Sequence, residues 1–341
     1  MHKNHKKDNL KKNNIDYVDI YSGREIKKRT LDWKKIFFTI LFVLTGFFGG
    51  ALIYAYNILT SFNYKELDET QNQKEIADTE NDSSLINDNM VLNVLLLGTD
   101  SQSAGDGGRT DTILLLSLDA RNGKLKITSL MRDTWVKIPG YSSDRLNAAY
   151  THGGAKITAD TIEYNFGIKI DRYAIVDFDH FEHIVDSIGG IDMELNRFEV
   201  NYINKNCADK KSLLKGSGLM HLNGKQALMH ARNRDSIGSD YDRTERQRKV
   251  IMAIFEKGKT LNIAQVTQLA STIFPMVTTN FKVSEITRMA SKALTYLNFP
   301  VLQFRIPTDE NVRDETIDSK MVLVINDMKK ARNDLQEFIY K

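Results

Sequence analysis

The sequence predicts an α/β fold in which a central mixed β-sheet is flanked by helices on both faces and preceded by one transmembrane helix. Three features support this prediction: a long uncharged apolar run near the N-terminus, short apolar runs bounded by turn residues, and helical periodicity between those runs. Strands mixed with helices on this scale favour a buried sheet covered by helical layers.

The uncharged run is Ile36 to Leu59, 24 residues without Asp, Glu, Lys, Arg or His. As a helix it would reach about 36 Å, more than a hydrocarbon core of about 30 Å. The preceding residues 1–35 carry eleven Lys or Arg and five Asp or Glu, which places them in the cytoplasm. A cleaved signal peptide is the alternative, but the run is too long and no clear cleavage site follows it. We therefore expect a single-pass type II protein of the cell membrane with an extracytoplasmic C-terminal domain.

The predicted domains are a basic cytoplasmic tail over 1–35, a transmembrane helix over 36–59, an acidic extracytoplasmic linker over 60–90 and an extracytoplasmic domain over 91–341. The linker assignment rests on eight acidic residues, two lysines and few large apolar groups. The whole chain carries a net charge of +3, and subtracting the tail's +6 leaves −3 for the remainder. This charge and this location disfavour nucleic acid as a partner.

Strand signals are concentrated at the start of the last domain. Val91 to Gly98 and Thr112 to Leu118 are nearly continuous apolar runs, typical of strands buried on both faces. Lys124 to Leu130 alternates, and the Asn-Gly pair before it predicts a hairpin. Further strands are predicted near 173–176 and 301–305. Helical periodicity predicts helices near 145–150, 155–166, 179–187, 224–232, 243–257, 263–274, 283–297 and 320–340.

Two carboxylates occupy neighbouring ends of the first two strands. Asp100 lies two residues beyond Gly98, and Asp111 opens the next strand after a glycine-rich loop. If these strands are neighbours, both side chains meet at one edge of the sheet, where ligands of open α/β sheets tend to bind. Paired carboxylates there suit Mg²⁺ completed by water and substrate phosphates. The alternative is that both are turn residues, since Asp is common beside Gly in loops.

Arginines form the second group of candidate site residues. On a helix, Arg243, Arg246 and Gln247 would share one face near its N-terminus, where guanidinium groups and free N–H groups bind phosphate. The alternative is a solvated helix face with Asp242 as N-cap. The sequence has no GxxxxGK[ST] loop, HExxH, GxSxG or zinc-spaced Cys/His cluster. The further arginines of this group are Arg109, Arg132, Arg232 and Arg234.

From Val91 onward the chain resembles the LytR-CpsA-Psr (LCP) family of cell-wall enzymes. The resemblance rests on ordered motifs: LLLGTD, GRTDT, SLMRDT, RLNAAYTHGG, VDSIGGID, LNGKQALMHARNR and DYDRTERQ. It implies an LCP-like catalytic domain that holds polyprenyl phosphate in an apolar pocket. Two departures are Leu130-Met131, where Ile-Pro is common, and Asp242, where Gly is common. The second leaves open whether Asp240 or Asp242 serves the last motif.

The resemblance also implies residue roles. Asp100 and Asp111 correspond to the magnesium-associated acids, with Mn²⁺ as the alternative ion, and Asp240 to the acid of the last motif. Arg132 is expected in both catalysis and pyrophosphate binding. The full pyrophosphate-binding set is Arg109, Arg132, Arg232, Arg234, Arg243 and Gln247, and the catalytic set is Asp100, Asp111, Arg132 and Asp240.

The implied function is transfer of a phosphate-linked anionic glycopolymer, of teichoic acid or capsule type, from a polyprenyl-pyrophosphate carrier to peptidoglycan. Phosphoryl transfer needs positioning and charge neutralisation more than covalent help, consistent with arginines and Mg²⁺ without an obvious nucleophile. Two alternatives remain at this stage. One is a membrane-anchored protein that binds the lipid or polymer without turnover, and the other is a polyprenyl-pyrophosphatase.

Overall fold

The computed structural model describes residues 15–18, 25–27, 63–66, 85–100, 108, 110–207, 212–233, 240–262, 265, 269 and 271–341. The chain divides into two compact units, Met1–Tyr56 and Asn57–Lys341. In the first unit, β1 (Ile15–Val18) pairs antiparallel with β2 (Glu25–Lys27). The predicted span over 36–59 lies outside the described residues. Within those residues, no helix combines the length and the apolar character needed to cross a membrane.

The second unit contains a seven-stranded mixed sheet and three two-stranded sheets. In the large sheet the strand order is β13-β6-β5-β4-β9-β12-β3. Its strands are β3 (Asn63–Tyr64), β4 (Val91–Thr99), β5 (Thr110–Asp119), β6 (Lys124–Leu130), β9 (Arg172–Asp177), β12 (Thr278–Thr279) and β13 (Val301–Ile306). The antiparallel pairs are β7 (Trp135–Val136) with β8 (Asp144–Arg145), β10 (Ile191–Leu195) with β11 (Gly218–Leu222), and β14 (Val312–Ile317) with β15 (Lys320–Ile325).

Helices cover both faces of the large sheet, which confirms the predicted architecture of the domain. They are α1 (Ala148–Phe166), α2 (Phe178–Ser187), α3 (Arg197–Asn206), α4 (Gly224–Arg232), α5 (Asp240–Lys259), α6 (Val283–Ser291), α7 (Ala293–Leu297) and α8 (Met328–Tyr340). Short 3₁₀ helices occupy Phe274–Met276 and Asp309–Asn311. Non-helical backbone at Gly153 and Gly154 divides α1 into two helical parts, which agrees with the separate helices predicted over 145–150 and 155–166. The first part begins only at Ala148, after the short strand β8.

One face of the sheet packs tightly against α1 and α8. Leu95 and Leu115 point to this face and are completely buried, together with Ile162 of α1 and Leu335 of α8. This closed face also buries Lys126, whose ammonium donates to Asp119 Oδ2 at 2.8 Å and to the Ile339 carbonyl at 2.7 Å. A buried charge is tolerated only when it is paired and hydrogen-bonded, so this lysine fastens α8 to the sheet.

The helices on the other face have a hydrophobic core of their own. Val185, Ile203, Leu222, Ala227 and Val250 are buried together there, from α2, α3, β11, α4 and α5. This second core packs the helices mainly against one another. A space therefore remains between them and the sheet.

A glycine allows α4 to approach α2 closely. A Cβ on Gly224 would lie 2.0 Å from the backbone carbonyl oxygen of Glu182. The Gly224 N–H donates to Asp186 Oδ1 at 2.7 Å, which ties the start of α4 to α2. Any larger residue at this position would push apart two helices that line the space over the sheet.

The ordered domain begins before residue 91, the predicted boundary. Within the predicted linker, β3 adds to the sheet edge beside β12, and Lys65 N–H donates to the Thr279 carbonyl at 3.0 Å. Ile86 forms a bridge with Ile168 further along. The low hydrophobicity of this segment gave no signal for these contacts, because edge pairing uses backbone groups that every non-proline residue carries.

The helix predicted over 320–340 is wrong in its first part. Lys320 to Ile325 forms β15, which pairs with β14 along its whole length, and helix α8 starts only at Met328. The run Val322–Ile325 is rich in β-branched residues, which favour strands. Its apolar residues matched a helical period as well as a strand, and the partner strand decided between them.

Candidate active site

A cavity of about 640 Å³ occupies the space between the open face of the sheet and helices α2 to α5. Its walls are largely apolar, and this volume is within the range of small-molecule sites. The sheet contributes Leu96, Leu97, Gly98, Thr112, Leu114, Ala174 and Val176. The helices contribute Phe178, Phe181, Ile184, Tyr202, Asn206, Leu228, Met229, Ala231, Val250, Ile251 and Ile254.

The periodicity of the elements explains which side chains reach the cavity. Along β4 and β5, Leu96 and Leu114 face the cavity while Leu95 and Leu115 face the closed core, because successive side chains of a strand point to opposite faces. Along α5, cavity residues recur at 243, 247, 250, 251 and 254, which is one side of a helix. The helix thus presents apolar residues along the cavity and polar ones at its N-terminal end.

Charged and polar groups are grouped at one part of this wall. Asp111, Arg232, Arg243 and Gln247 all border the cavity. Arg243 is only 4% exposed, and the Gln247 side-chain amide donates to the Asp111 carbonyl at 3.5 Å. Arg232 places its guanidinium 4.5 Å from the centre of the Phe178 ring, a cation–π contact that orients it. Two cations and an amide donor therefore border one side of an apolar cavity.

A chain of ion pairs joins Asp111 to residues outside the cavity. Arg132 donates from Nη1 to the Asp111 carboxylate and from Nε to Asp133 Oδ2 at 3.2 Å. Asp133 in turn lies 3.4 Å from Arg145, whose Nη2 donates to the Met321 carbonyl at 2.7 Å. The guanidinium of Arg132 is thus held between two carboxylates. This arrangement limits the rotation of the side chain and keeps its planar fork beside Asp111, which lines the cavity.

The two predicted metal-binding acids follow the expected strand geometry. β4 and β5 are antiparallel neighbours, and Thr99 pairs with Thr110 after a register shift at Gly98. Asp100 follows the end of β4 and Asp111 lies near the start of β5, so both flank the same pair of residues at one sheet edge. Asp100 is exposed, and Asp111 is half-buried. Carboxylates of this kind fit Mg²⁺, which takes its remaining ligands from water and phosphate oxygens.

A buried polar cluster lies behind the arginines. Burial, with the nearby charges of Arg246 and Lys249, lowers the pKa of His230 to about 4, so the ring is neutral at pH 7. Arg246 lies 3.7 Å from Glu199 and donates to the Asn233 carbonyl at 3.2 Å. These contacts join α3 and α4 to the first turns of α5 and support the helix that carries Arg243.

The structure brings together five of the predicted site residues, and the other four are described less fully. Asp111, Arg132, Arg232, Arg243 and Gln247 lie at or beside the cavity. Arg109 and Arg234 lie outside the described residues. Asp240 is described only as the first residue of α5, so the helix begins before Asp242, which is not its N-cap. Asp100 is placed by its backbone position after β4. Among the described residues, no three or more His, Cys, Asp or Glu side chains are grouped so as to hold a metal.

Comparison with known proteins places this chain in a family. A model described as the LytR_cpsA_psr family matches residues 52–337. The Bacillus subtilis polyisoprenyl-teichoic acid–peptidoglycan teichoic acid transferase TagV is 31% identical over 275 residues, which are 77% of this chain and 66% of the relative. The transferase of the same description called TagU, from Bacillus mycoides, is 33% identical over 233 residues, 67% of this chain and 73% of the relative.

Solved structures support the same placement at the level of the fold. The LytR-CPS2A-psr family protein YwtF (TagT) of Bacillus subtilis, with bound octaprenyl pyrophosphate lipid, superposes with a TM-score of 0.59 at 22% identity. The match covers 81% of this chain and 99% of that protein. With a family model matched over most of its length, the chain belongs to the LytR-CpsA-Psr family.

Proposed function

We propose that this chain transfers an anionic glycopolymer, of teichoic acid or capsule type, from a polyprenyl-pyrophosphate carrier to peptidoglycan. The observation that carries the proposal is the apolar cavity bordered by Arg232, Arg243 and Asp111, because it matches a ligand with a hydrocarbon tail and a phosphate head. The transferase names of the relatives TagV and TagU support it, as does the octaprenyl pyrophosphate bound by TagT.

In the proposed reaction a hydroxyl of the wall sugar attacks the phosphorus next to the polymer. A new P–O bond forms, the P–O–P bond breaks, and polyprenyl phosphate leaves. The forks of Arg132 and Arg243 bind the pyrophosphate and balance the charge that develops on its oxygens. An aspartate of the catalytic set accepts the hydroxyl proton. Arg109, Arg234 and Asp240 are further members of this proposed site.

We further propose that Asp100 and Asp111 hold Mg²⁺, with Mn²⁺ as the alternative. When bound, the ion neutralises pyrophosphate charge. The ion pair between Asp111 and Arg132 supports this proposal, because it places the carboxylate beside an arginine that we propose for pyrophosphate binding. Arg132 can then bind the negatively charged phosphate oxygens while Asp111 binds the positively charged ion, so the site can accept a complex of pyrophosphate with Mg²⁺.

The proposed topology places this site outside the cytoplasm, with residues 36–59 as a single anchor of type II. Lipid carrier and peptidoglycan are then both within reach of the domain. Protease added to intact, wall-stripped cells is expected to digest the chain beyond residue 60 and to spare the tail. Protection of the C-terminal domain would contradict the topology and, with it, the function.

The direct test is transfer by the purified chain from a lipid-linked pyrophosphate donor to peptidoglycan. We expect transfer that stops in chelator, returns with Mg²⁺ and is abolished in Asp100→Ala and Asp111→Ala with the fold intact. Undiminished transfer in chelator would contradict the metal assignment. Donor binding without turnover would favour the non-catalytic binder, and release of polymer without acceptor would favour the pyrophosphatase.

The arginine assignment is tested by lysine, which keeps the charge but loses the planar fork. We expect Arg132→Lys and Arg243→Lys each to lower transfer about 100-fold, the order seen when one preorganised donor is removed from an active site. The double variant should lose less than the product of the two, because both side chains serve one ligand. The matched control is Arg288→Lys on α6, an exposed arginine outside the cavity. Near-normal transfer in both site variants would contradict the pyrophosphate-binding assignment and indicate that these arginines have a structural role only.

A further inference from the structure

A second pair of arginines lies across α5 from the cavity. Arg248 follows Gln247 directly, so its side chain leaves the helix about 100° around from the cavity wall. Its Nη1 donates to Ser129 Oγ at 2.7 Å, and its Nε donates to Gln303 Oε1 at 3.1 Å. Arg248 therefore reaches from α5 over β6 and β13, and both of these acceptors are neutral oxygens.

Arg305 lies beside this contact. It is the register partner of Ser129 in the parallel pair of β13 and β6, so both side chains project from the same sheet face. Its Nε donates to the Pro307 carbonyl at 3.2 Å, and its Nη2 donates to Asp309 at 2.5 Å. Asp309 is 78% exposed, whereas Arg305 is 18% exposed. The acid is thus well solvated, and its ion pair with the arginine is open to screening and exchange.

The two guanidinium groups are close enough to influence each other. Burial lowers the pKa of Arg248, and the positive charge of Arg305 lowers it further against the opposing effect of Glu245. Glu245 itself pairs with Lys249 at 2.8 Å. Like charges placed together on a half-buried surface repel each other unless anions compensate them. The carboxylate that compensates Arg305, Asp309, is exposed to solvent, so a phosphate can replace it beside the two guanidinium groups.

The pair is also correctly placed relative to the proposed reaction. Ser129 lies near the end of β6 and Arg132 lies in the turn that follows this strand, so their Cα atoms are at most about 10 Å apart. Arg132 contacts Asp111 at the cavity mouth. Helix α5 separates the apolar cavity from the arginine pair, so a lipid tail on one side and a polar chain on the other can share one phosphate region.

We propose that Arg248 and Arg305 form a subsite for phosphodiester groups of the polymer that is being transferred. This inference rests on the proposed function, and it names the part of the donor that the surface recognises: the anionic repeats beyond the pyrophosphate. Guanidinium forks match phosphate oxygens in geometry and charge. A polymer with neutral repeats gains nothing from this subsite, which makes it a determinant of donor specificity.

The test compares two lipid-pyrophosphate donors, one with a neutral oligosaccharide and one with glycerol-phosphate repeats. In the double variant Arg248→Gln/Arg305→Gln of the full chain, we expect KM for the glycerol-phosphate donor to rise about tenfold. The neutral donor should keep its kcat/KM, and added salt should weaken wild-type use of the glycerol-phosphate donor more than its use of the neutral donor. Arg288→Gln, at the opposite edge of the sheet, is the matched control and should change neither donor. Equal effects on both donors, or on neither, would overturn the proposal.

A binding measurement separates this inference from the proposed reaction. Soluble poly(glycerol phosphate) is titrated into the full chain in detergent, with no acceptor present and no turnover required. We expect wild type and the control Arg288→Gln to bind it alike, Arg248→Lys to bind it more weakly, and the double variant to lose at least tenfold in affinity at an unchanged melting temperature. Equal binding by wild type and the double variant would overturn the subsite even if transfer occurs. Absence of transfer from either donor, with this difference in binding intact, would contradict only the proposed reaction.

Discussion

The two faces of the seven-stranded sheet differ although the same strands build both. On the closed face, Leu95 and Leu115 are fully buried against α1 and α8. On the open face their chain neighbours Leu96 and Leu116 are only partly buried, and Leu96 lines the cavity. Adjacent leucines on one strand thus have different roles. Leu95 contributes to the stability of the fold, and Leu96 provides apolar surface for a ligand.

The helical layers explain the difference. Helix α8 lies directly on the sheet and is fastened by Lys126, and its Arg332 and Gln336 also donate to carbonyls at the end of α1. Helices α2 to α5 instead pack around their own core. Because that core already buries much of the apolar surface of these helices, they need not pack directly against the sheet. The cavity exists between two cores that are each stable without filling it.

The largest expected effect that tests this contrast is the loss of the buried ion pair on the closed face. Lys126→Met leaves Asp119 buried without its cation, and we expect a loss of about 3–5 kcal/mol in the free energy of unfolding. Urea denaturation of the purified chain measures it. Lys320→Met, which breaks the more exposed pair with Asp144, is the control and should cost about 1 kcal/mol or less. Similar costs for both variants would show that the closed face is not the more tightly packed one.

The second prediction uses adjacent leucines of β4. Leu95→Ala should destabilise the domain by about 2–5 kcal/mol, because it leaves a cavity in a filled core. Leu96→Ala only enlarges an existing space and should cost about 1 kcal/mol, while weakening the binding of a polyprenyl pyrophosphate. Paired denaturation and lipid titration distinguish the two. Equal destabilisation would mean that the open face is packed like the closed one.

The third prediction adds volume instead of removing it. Ala159, 3% exposed on α1, faces the closed core, and Ala159→Leu should cost about 1–3 kcal/mol through overpacking. Ala174→Leu projects into the cavity and should change stability by less than about 0.5 kcal/mol. It should nevertheless reduce lipid affinity, since the added side chain takes space from the tail. A stable Ala174→Leu variant with unchanged lipid binding would contradict the cavity as the lipid site.

The smallest expected effect is a pH dependence on the closed face. Burial alone would raise the pKa of Asp119, but hydrogen bonds from Lys126 and Asn122 outweigh it and lower the pKa below 3.8. A carboxylate with a lowered pKa stabilises the fold above its unfolded pKa and loses that contribution as the pH falls through its folded pKa. The stability difference between wild type and Lys126→Met should therefore be largest near pH 7 and shrink below about pH 4. A difference independent of pH would contradict the pairing.

Local sequence signals correctly predicted the five longest strands of the large sheet and the family. The Asn-Gly pair predicted the turn between β5 and β6, where Gly123 adopts a φ of 59°. The strands that precede Asp100 and contain Asp111 were predicted to be neighbours, and the antiparallel pairing of β4 and β5 confirms it. The resemblance to LytR-CpsA-Psr enzymes is confirmed by the match over residues 52–337. These predictions succeeded because turns and apolar runs act through residues close together in the chain.

Contacts between distant segments were not predictable in the same way. The strand Lys320–Ile325 was interpreted as helix because its apolar residues fit both periods, and only pairing with β14 decided its state. Arg248 was indistinguishable from a solvated helix residue until its contacts with Ser129 and Gln303 were known. Lys126 lies in a segment whose alternating pattern predicted a polar side chain there. The side chain is buried instead, because its ammonium donates to Asp119 and to the Ile339 carbonyl at the end of α8.

The sequence by itself determined the five longest strands of the large sheet, where the acids and arginines stand along the chain, and to which family the chain belongs. Hydrophobic pattern, turn chemistry and motif order are local properties, and they need no knowledge of neighbours in space. The tertiary structure alone decided that one sheet face is filled and the other left open. That outcome depends on where helices pack, which is set by the sum of many weak contacts between residues far apart in the sequence.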